Sequence, residues 1–110
     1  KEGFDSPRDR QKKYHFLMRY SVYLIVSLAS KRKLISYVGY TSNLKQRLSL
    51  HNKSKGAKFT RGRKWYLAYS MKYANKSKAM KEEYKLKKNI KKRNNIKNSF
   101  LKKKNETNKF

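Results

Sequence analysis

Three stretches of this chain alternate apolar with polar residues over a length that can be buried, and they dictate a small sheet. In the first, Tyr20 to Leu28, the residues Val22, Leu24, Val26 and Leu28 share one face and β-branched side chains abound. Ala29 to Lys33 is a polar connection of hairpin length, so Leu34 to Thr41 is expected as a second, antiparallel strand. Gly39 lies inside that strand, where glycine marks a bulge or a close backbone approach. The third run, Lys64 to Tyr73, places Trp65, Leu67, Tyr69, Met71 and Tyr73 on one side.

Helices are expected between and after the strands. Thr41, Ser42 and Asn43 are consecutive candidate N-caps, and Gln46 stands three residues after Asn43. A helix from there to about His51 puts Leu44, Arg47, Leu48 and His51 on one face. Residues 52–63 form a basic loop, and Asn75 or Ser77 can cap a second helix running to about Lys88 or beyond. The order strand, strand, helix, strand, helix predicts an α/β (α+β) domain, a three-stranded antiparallel sheet flanked by helices. We place the domain at residues 18–93, after a basic polar extension over 1–17 and before a basic tail over 94–110. The end of that tail, Lys102 to Phe110, is expected to be disordered when free. The core is small, which makes the domain marginally stable without a partner.

Charge defines that partner. There are 32 Lys and Arg against 6 Asp and Glu, a formal net charge of +26, although an AT-biased genome would supply part of the Lys, Asn and Ile excess. A chain that repels itself this strongly needs a polyanion. Nucleic acid, DNA or structured RNA, is preferred over a membrane surface, because no apolar run approaches the ~18 residues of a spanning helix and no lipidation signal stands out. With no Cys there is no disulfide partner and no thiolate zinc site. An intracellular, non-secreted setting fits, whether cytosol, nucleus or organelle matrix. The chain begins at Lys1 rather than Met, so something upstream is expected to have been removed, trimmed or left out, and Glu2, Asp5 and Asp9 argue against an intact, acid-poor transit peptide.

Glu82 and Glu83 are the only acids between Arg10 and Asn105. Helical spacing turns Glu82 toward Lys78, Lys81 and Lys85 and leaves Glu83 on or beside a stripe of Ala79, Leu86 and Ile90 expected to face the sheet. A carboxylate there needs a cation, either Arg47 or a metal ion, and the residues alone leave both open. Arg47 either snorkels from an apolar face or aims its guanidinium at a phosphate. One carboxylate facing one Arg with hydroxyls nearby suits phosphodiester cleavage, the acid holding a divalent cation and the Arg neutralising developing charge. Tyr40, Tyr69, Tyr73 and Tyr84 are expected to pack with exposed hydroxyls. His15 is expected on the surface.

The sequence resembles the GIY-YIG nuclease superfamily in its compact single-domain branch, over roughly residues 20 to 93. Ser21-Val22-Tyr23 stands where the first motif is expected and Tyr37-Val38-Gly39 where the second is expected. Tyr37 to Thr41 followed by Leu44, Arg47 and His51, then Lys55 to Arg61, a Trp-bearing strand and Ala79 to Tyr84, follow the pattern in order and spacing. The resemblance implies that Tyr23 and Tyr37 flank the scissile phosphate, one of them positioning or activating the attacking water. It implies that Gly39 lets the backbone pass close to the site, that Arg47 binds the phosphate and that Glu83 holds one Mg²⁺ or Mn²⁺. His51 stands at a recurrent position and could assist proton transfer. Lys55, Lys58, Arg61 and Arg63 would track the phosphate backbone beside such a site. Ser21 departs from the glycine of the first motif, at a position that varies in the superfamily.

Two functions fit these features. The leading one is a metal-dependent endonuclease acting on DNA at branches, nicks or flaps. The alternative is a non-catalytic rRNA-binding component of a ribosome, mitochondrial for instance, that has recruited the fold. Charge and basic extensions favour the second, and the complete set of motif positions favours the first.

Overall fold

A computed structural model of the protein describes residues 18–30 and 33–107. Three strands, β1 (Tyr20–Ser30), β2 (Lys33–Thr41) and β3 (Tyr66–Tyr73), form one sheet in the order β2-β1-β3 with antiparallel neighbours. Helix α1 (Leu44–Asn52) follows β2, while α2 (Lys76–Lys88) and α3 (Ile90–Thr107) follow β3. Side-chain amides cap all three helices: Asn43 accepts from the Gln46 N–H, Asn75 from Lys78 and Asn89 from Lys92. Each satisfies a backbone donor that a helix start leaves without a partner.

As the central strand, β1 is covered on both faces, and every residue from Ser21 to Ser27 is buried. Val22, Leu24 and Val26 point to one face and join Leu34, Val38, Ala79 and Leu86 beneath α2 and α3. Tyr23 and Ile25 point to the other and meet Trp65, with Leu44 and Leu48 of α1 against them. The alternation seen in sequence thus sorts residues between two cores rather than between core and water. Burying an aliphatic side chain of β1 this completely contributes about 1.5–3 kcal/mol each.

Three expectations change. Leu24 pairs with Tyr69 but Ile25 pairs with Leu67, so β3 carries one extra residue at Ala68. This bulge breaks the single face expected from Trp65 to Tyr73: Tyr69 and Tyr73 pack on the α2/α3 core, whereas Trp65 joins the α1 core. Secondly, the segment read as a basic tail from residue 94 continues helix α3 to Thr107, and Ile96, Phe100 and Leu101 pack on the sheet. Residues spaced three to five apart form an apolar stripe that its Lys content obscures. The stripe of α2 stops at Leu86, because the chain turns at Asn89 and leaves Ile90 63 % exposed. Among the described residues no helix is long and apolar enough to cross a membrane. Residues 1–17, including His15, lie outside the described residues.

Candidate active site

Strand register sets the first contact. Tyr23 lies directly opposite Gly39 across the β1–β2 pair, and its ring folds over the glycine. A Cβ at position 39 would sit 2.5 Å from the Tyr23 hydroxyl oxygen, so only glycine leaves room for the phenol. Tyr23 is 1 % exposed, and its hydroxyl is 2.8 Å from Nε2 of His51 on the last turn of α1.

His51 is fully buried and fixed at both ring nitrogens. Its Nδ1 lies 2.8 Å from the hydroxyl of Thr60, itself fully buried in the 3-10 turn Lys58–Thr60. Thr60 donates its one proton to the carbonyl of Ala57 at 2.8 Å, so toward His51 it must accept. Nδ1 therefore carries the ring proton, Nε2 is left as acceptor, and Tyr23 donates to it. The chain of donors runs from Tyr23 through His51 and Thr60 to Ala57. A Cβ at Gly56 would lie 2.5 Å from Nδ1, so that glycine also makes room for the imidazole.

Burial raises the Tyr23 pKa, with the charges of Tyr37 and Glu83 adding to it, while a hydrogen bond and the positive charge of Arg47 pull the other way. Burial likewise lowers the His51 pKa, and the Arg47 charge lowers it further. At neutral pH both groups are thus uncharged, a phenol donor beside an imidazole acceptor. Tyr37 of β2, half-buried, meets the His51 ring edge-on with centroids 5.2 Å apart.

Glu83 lies on α2 with its side chain 18 % exposed, close enough for its charge to act on Tyr23. Its ion-pair partner at 3.4 Å is Lys87, one turn along the same helix, rather than Arg47, the side-chain cation that sequence spacing suggests. Glu82 pairs with Lys78 and Lys85 on the surface, as its spacing requires. Among the described residues no group of three or more His, Cys, Asp or Glu side chains forms a metal cluster. A divalent cation at Glu83 would have that single carboxylate, and Mg²⁺ suits such a position because substrate phosphates and water usually complete its shell.

The loop after α1 is tied down rather than draped. Asn52 donates to the Trp65 carbonyl at 3.1 Å and accepts from its backbone N–H at 2.6 Å, closing the loop at its base. The Trp65 indole N–H donates to the Thr60 carbonyl at 2.8 Å, and the Gly62 N–H to the Ser54 hydroxyl at 2.9 Å. Lys55, Lys58, Arg61 and Arg63 project from this frame into solvent. Sequence reasoning missed Thr60 and Asn52, whose partners are nine and thirteen residues away.

A family model described as the GIY-YIG catalytic domain matches residues 19–108. Among curated proteins, the UPF0213 protein OB0043 of Oceanobacillus iheyensis is 54 % identical over 52 residues, 46 % of this chain and 60 % of the relative. The UPF0213 protein SH2523 of Staphylococcus haemolyticus is 44 % identical over 52 residues, covering 46 % of this chain and 63 % of the relative. A UPF0213 protein of Lactiplantibacillus plantarum is 43 % identical over 65 residues, 56 % of this chain and 62 % of the relative. The chain thus spans somewhat less than two thirds of the length of the relatives it matches. No solved structure matches it. With the sheet, the paired tyrosines and a family match over most of its length in agreement, the chain belongs to the GIY-YIG catalytic-domain family.

Proposed function

We propose that this protein is a divalent-metal-dependent endonuclease that hydrolyses phosphodiester bonds in nucleic acid. The observation that carries the reading is the Tyr23–His51–Thr60 hydrogen-bond chain, buried next to an arginine and within the field of one carboxylate. A buried phenol needs a hydrogen-bond partner, and the partner here is an imidazole able to accept a proton, while phosphodiester hydrolysis needs a group that takes a proton from water.

In this reading a phosphate entering beside Arg47 draws the guanidinium from the Tyr23 oxygen, which frees a lone pair for the attacking water. Water adds to phosphorus, passes its proton to the Tyr23 oxygen, and the phenolic proton moves to His51 Nε2. Thr60 keeps the imidazole in the tautomer that can receive it. The bond from phosphorus to one bridging oxygen breaks, the leaving oxygen takes a proton from solvent water, His51 afterwards gives its proton back to solvent, and Arg47 offsets charge on the phosphoryl oxygens. Tyr37 packs against the imidazole and presents the second hydroxyl at the site. Glu83 would hold Mg²⁺ or Mn²⁺, which when bound polarises the phosphate and stabilises the leaving oxygen. Lys55, Lys58, Arg61 and Arg63 grip the flanking backbone. The ribosomal alternative draws support only from charge, which the nuclease reading uses equally.

The experiment is cleavage of labelled branched, duplex and single-stranded substrates by Thr60 variants. Thr60→Ser keeps the hydroxyl and should cut nearly as the parent does, whereas Thr60→Val should lose about 10- to 100-fold in kcat at unchanged binding. Equal rates for Thr60→Val and the parent would remove the proton path from the mechanism.

A further inference from the structure

Phe59 is 57 % exposed although it sits in the most tightly held part of the loop. Its neighbour Thr60 is fully buried and bonded to His51 and Ala57, and the Trp65 indole binds the carbonyl of that same residue. The short turn Lys58–Thr60 thus pins one side chain inward and drives the adjacent one outward. Phe59 lies nearly parallel to Tyr37, with ring centroids 6.2 Å apart and planes at 20°, and is braced from the side by Trp65 at 6.3 Å. Tyr37 in turn touches the His51 ring. Phe59 is therefore backed by the aromatic wall of the site while more than half of it stays exposed, and the exposed cations Lys58 and Arg61 stand next to it along the chain.

We propose that Phe59 is a stacking platform for an unpaired nucleobase next to the cleaved phosphate, which makes the substrate a nucleic acid with an unstacked base at the cut. Bases inside a continuous duplex lie face to face and offer a protein ring no free face. A single strand, a flap or a junction does offer one, and stacking on a fixed aromatic ring tolerates any base. Lys58 and Arg61, exposed in the same loop, would hold the phosphates that flank such a base. The rigid mounting matters, because a ring already held in place gives up little side-chain freedom when a base settles on it. The location of the cut relative to Phe59 rests on the nuclease reading, but the stacking itself does not.

The test measures binding of full-length protein in chelator, without divalent metal, to DNA carrying a fluorescent base analogue in a flap, and to a continuous duplex of the same length. Phe59→Ala and Phe59→Leu should each weaken flap binding by roughly 5- to 150-fold, the range expected for one base–aromatic stack. Duplex affinity should change little, and the salt dependence of flap binding should stay as in the parent, since no charge is lost. Phe59→Trp should keep both the affinity and the quenching of the analogue. Phe59→Leu preserves an apolar side chain against Tyr37, so its loss of binding separates stacking from packing. Equal losses on flap and duplex, or no loss with Phe59→Leu, would overturn the proposal, as would self-association that depends on Phe59. Absence of cleavage on restoring Mg²⁺, with the binding pattern intact, would count against the nuclease reading alone.

Discussion

The proton carried by Thr60 decides what His51 can do. Because Thr60 donates to Ala57, His51 must donate from Nδ1, and its Nε2 faces Tyr23 as a base. This gives a pH dependence with a definite sign. Burial and the Arg47 charge hold the His51 pKa below the ordinary 6.5, so the acceptor survives to lower pH than a free imidazole would. Cleavage should therefore stay level as pH falls through 6.5 and decline only nearer the depressed value, as a profile of kcat/KM would show. Stability follows the same direction, since the unfolded chain takes up the His51 proton first. It is full above 6.5 and is lost as pH falls from there toward the folded pKa, which thermal melts across that window would register. The family resemblance singled out Tyr23, Tyr37, Gly39, Arg47 and Glu83 as site candidates, but it did not single out Thr60. Its role arises from a turn that brings it beside a helix nine residues back, a contact that no local periodicity announces.

At the scale of elements, the strands and the first two helices were legible because each combines a burial pattern with its own cap or turn residue. The bulge at Ala68 and the helix over Ile90–Thr107 were not. An extra residue in β3 leaves the alternation of Tyr69, Met71 and Tyr73 intact and shifts only what precedes it, so sequence shows no break. In α3 the dense lysines mask the apolar stripe, and one of them, Lys104, sets its ammonium over the rings of Tyr66 and Phe100. The Asn89 cap was the visible sign of a new helix, since its side chain accepts from the Lys92 N–H. The helix should contribute to stability through Phe100, whose ring meets Tyr66 at 6.2 Å. Phe100→Ala is expected to destabilise the domain by about 2 kcal/mol, less than a fully buried aromatic would cost, as measured by urea unfolding. A change below about 0.5 kcal/mol would mean that α3 rests on the sheet without holding it.

Across the whole molecule, a small sheet with separate cores on its two faces carries a formal charge of +26, and the same charge that limits its stability attracts its ligand. The aromatic and hydrogen-bonded site lies on the α1 face, the charge of Glu83 on α2 acts on its Tyr23, and the tied loop carries exposed cations. Binding and chemistry are thus assigned to different residues and can be separated. The most direct measurement is cleavage of a labelled branched DNA with and without Mg²⁺, by the parent and by Glu83→Ala, with affinity for the same DNA measured in parallel. The account predicts metal-dependent nicking by the parent, its loss by about 10²-fold or more in the variant, and closely similar affinity for the two proteins. Undiminished cleavage by Glu83→Ala, or tight binding by the parent without any cleavage, would contradict it.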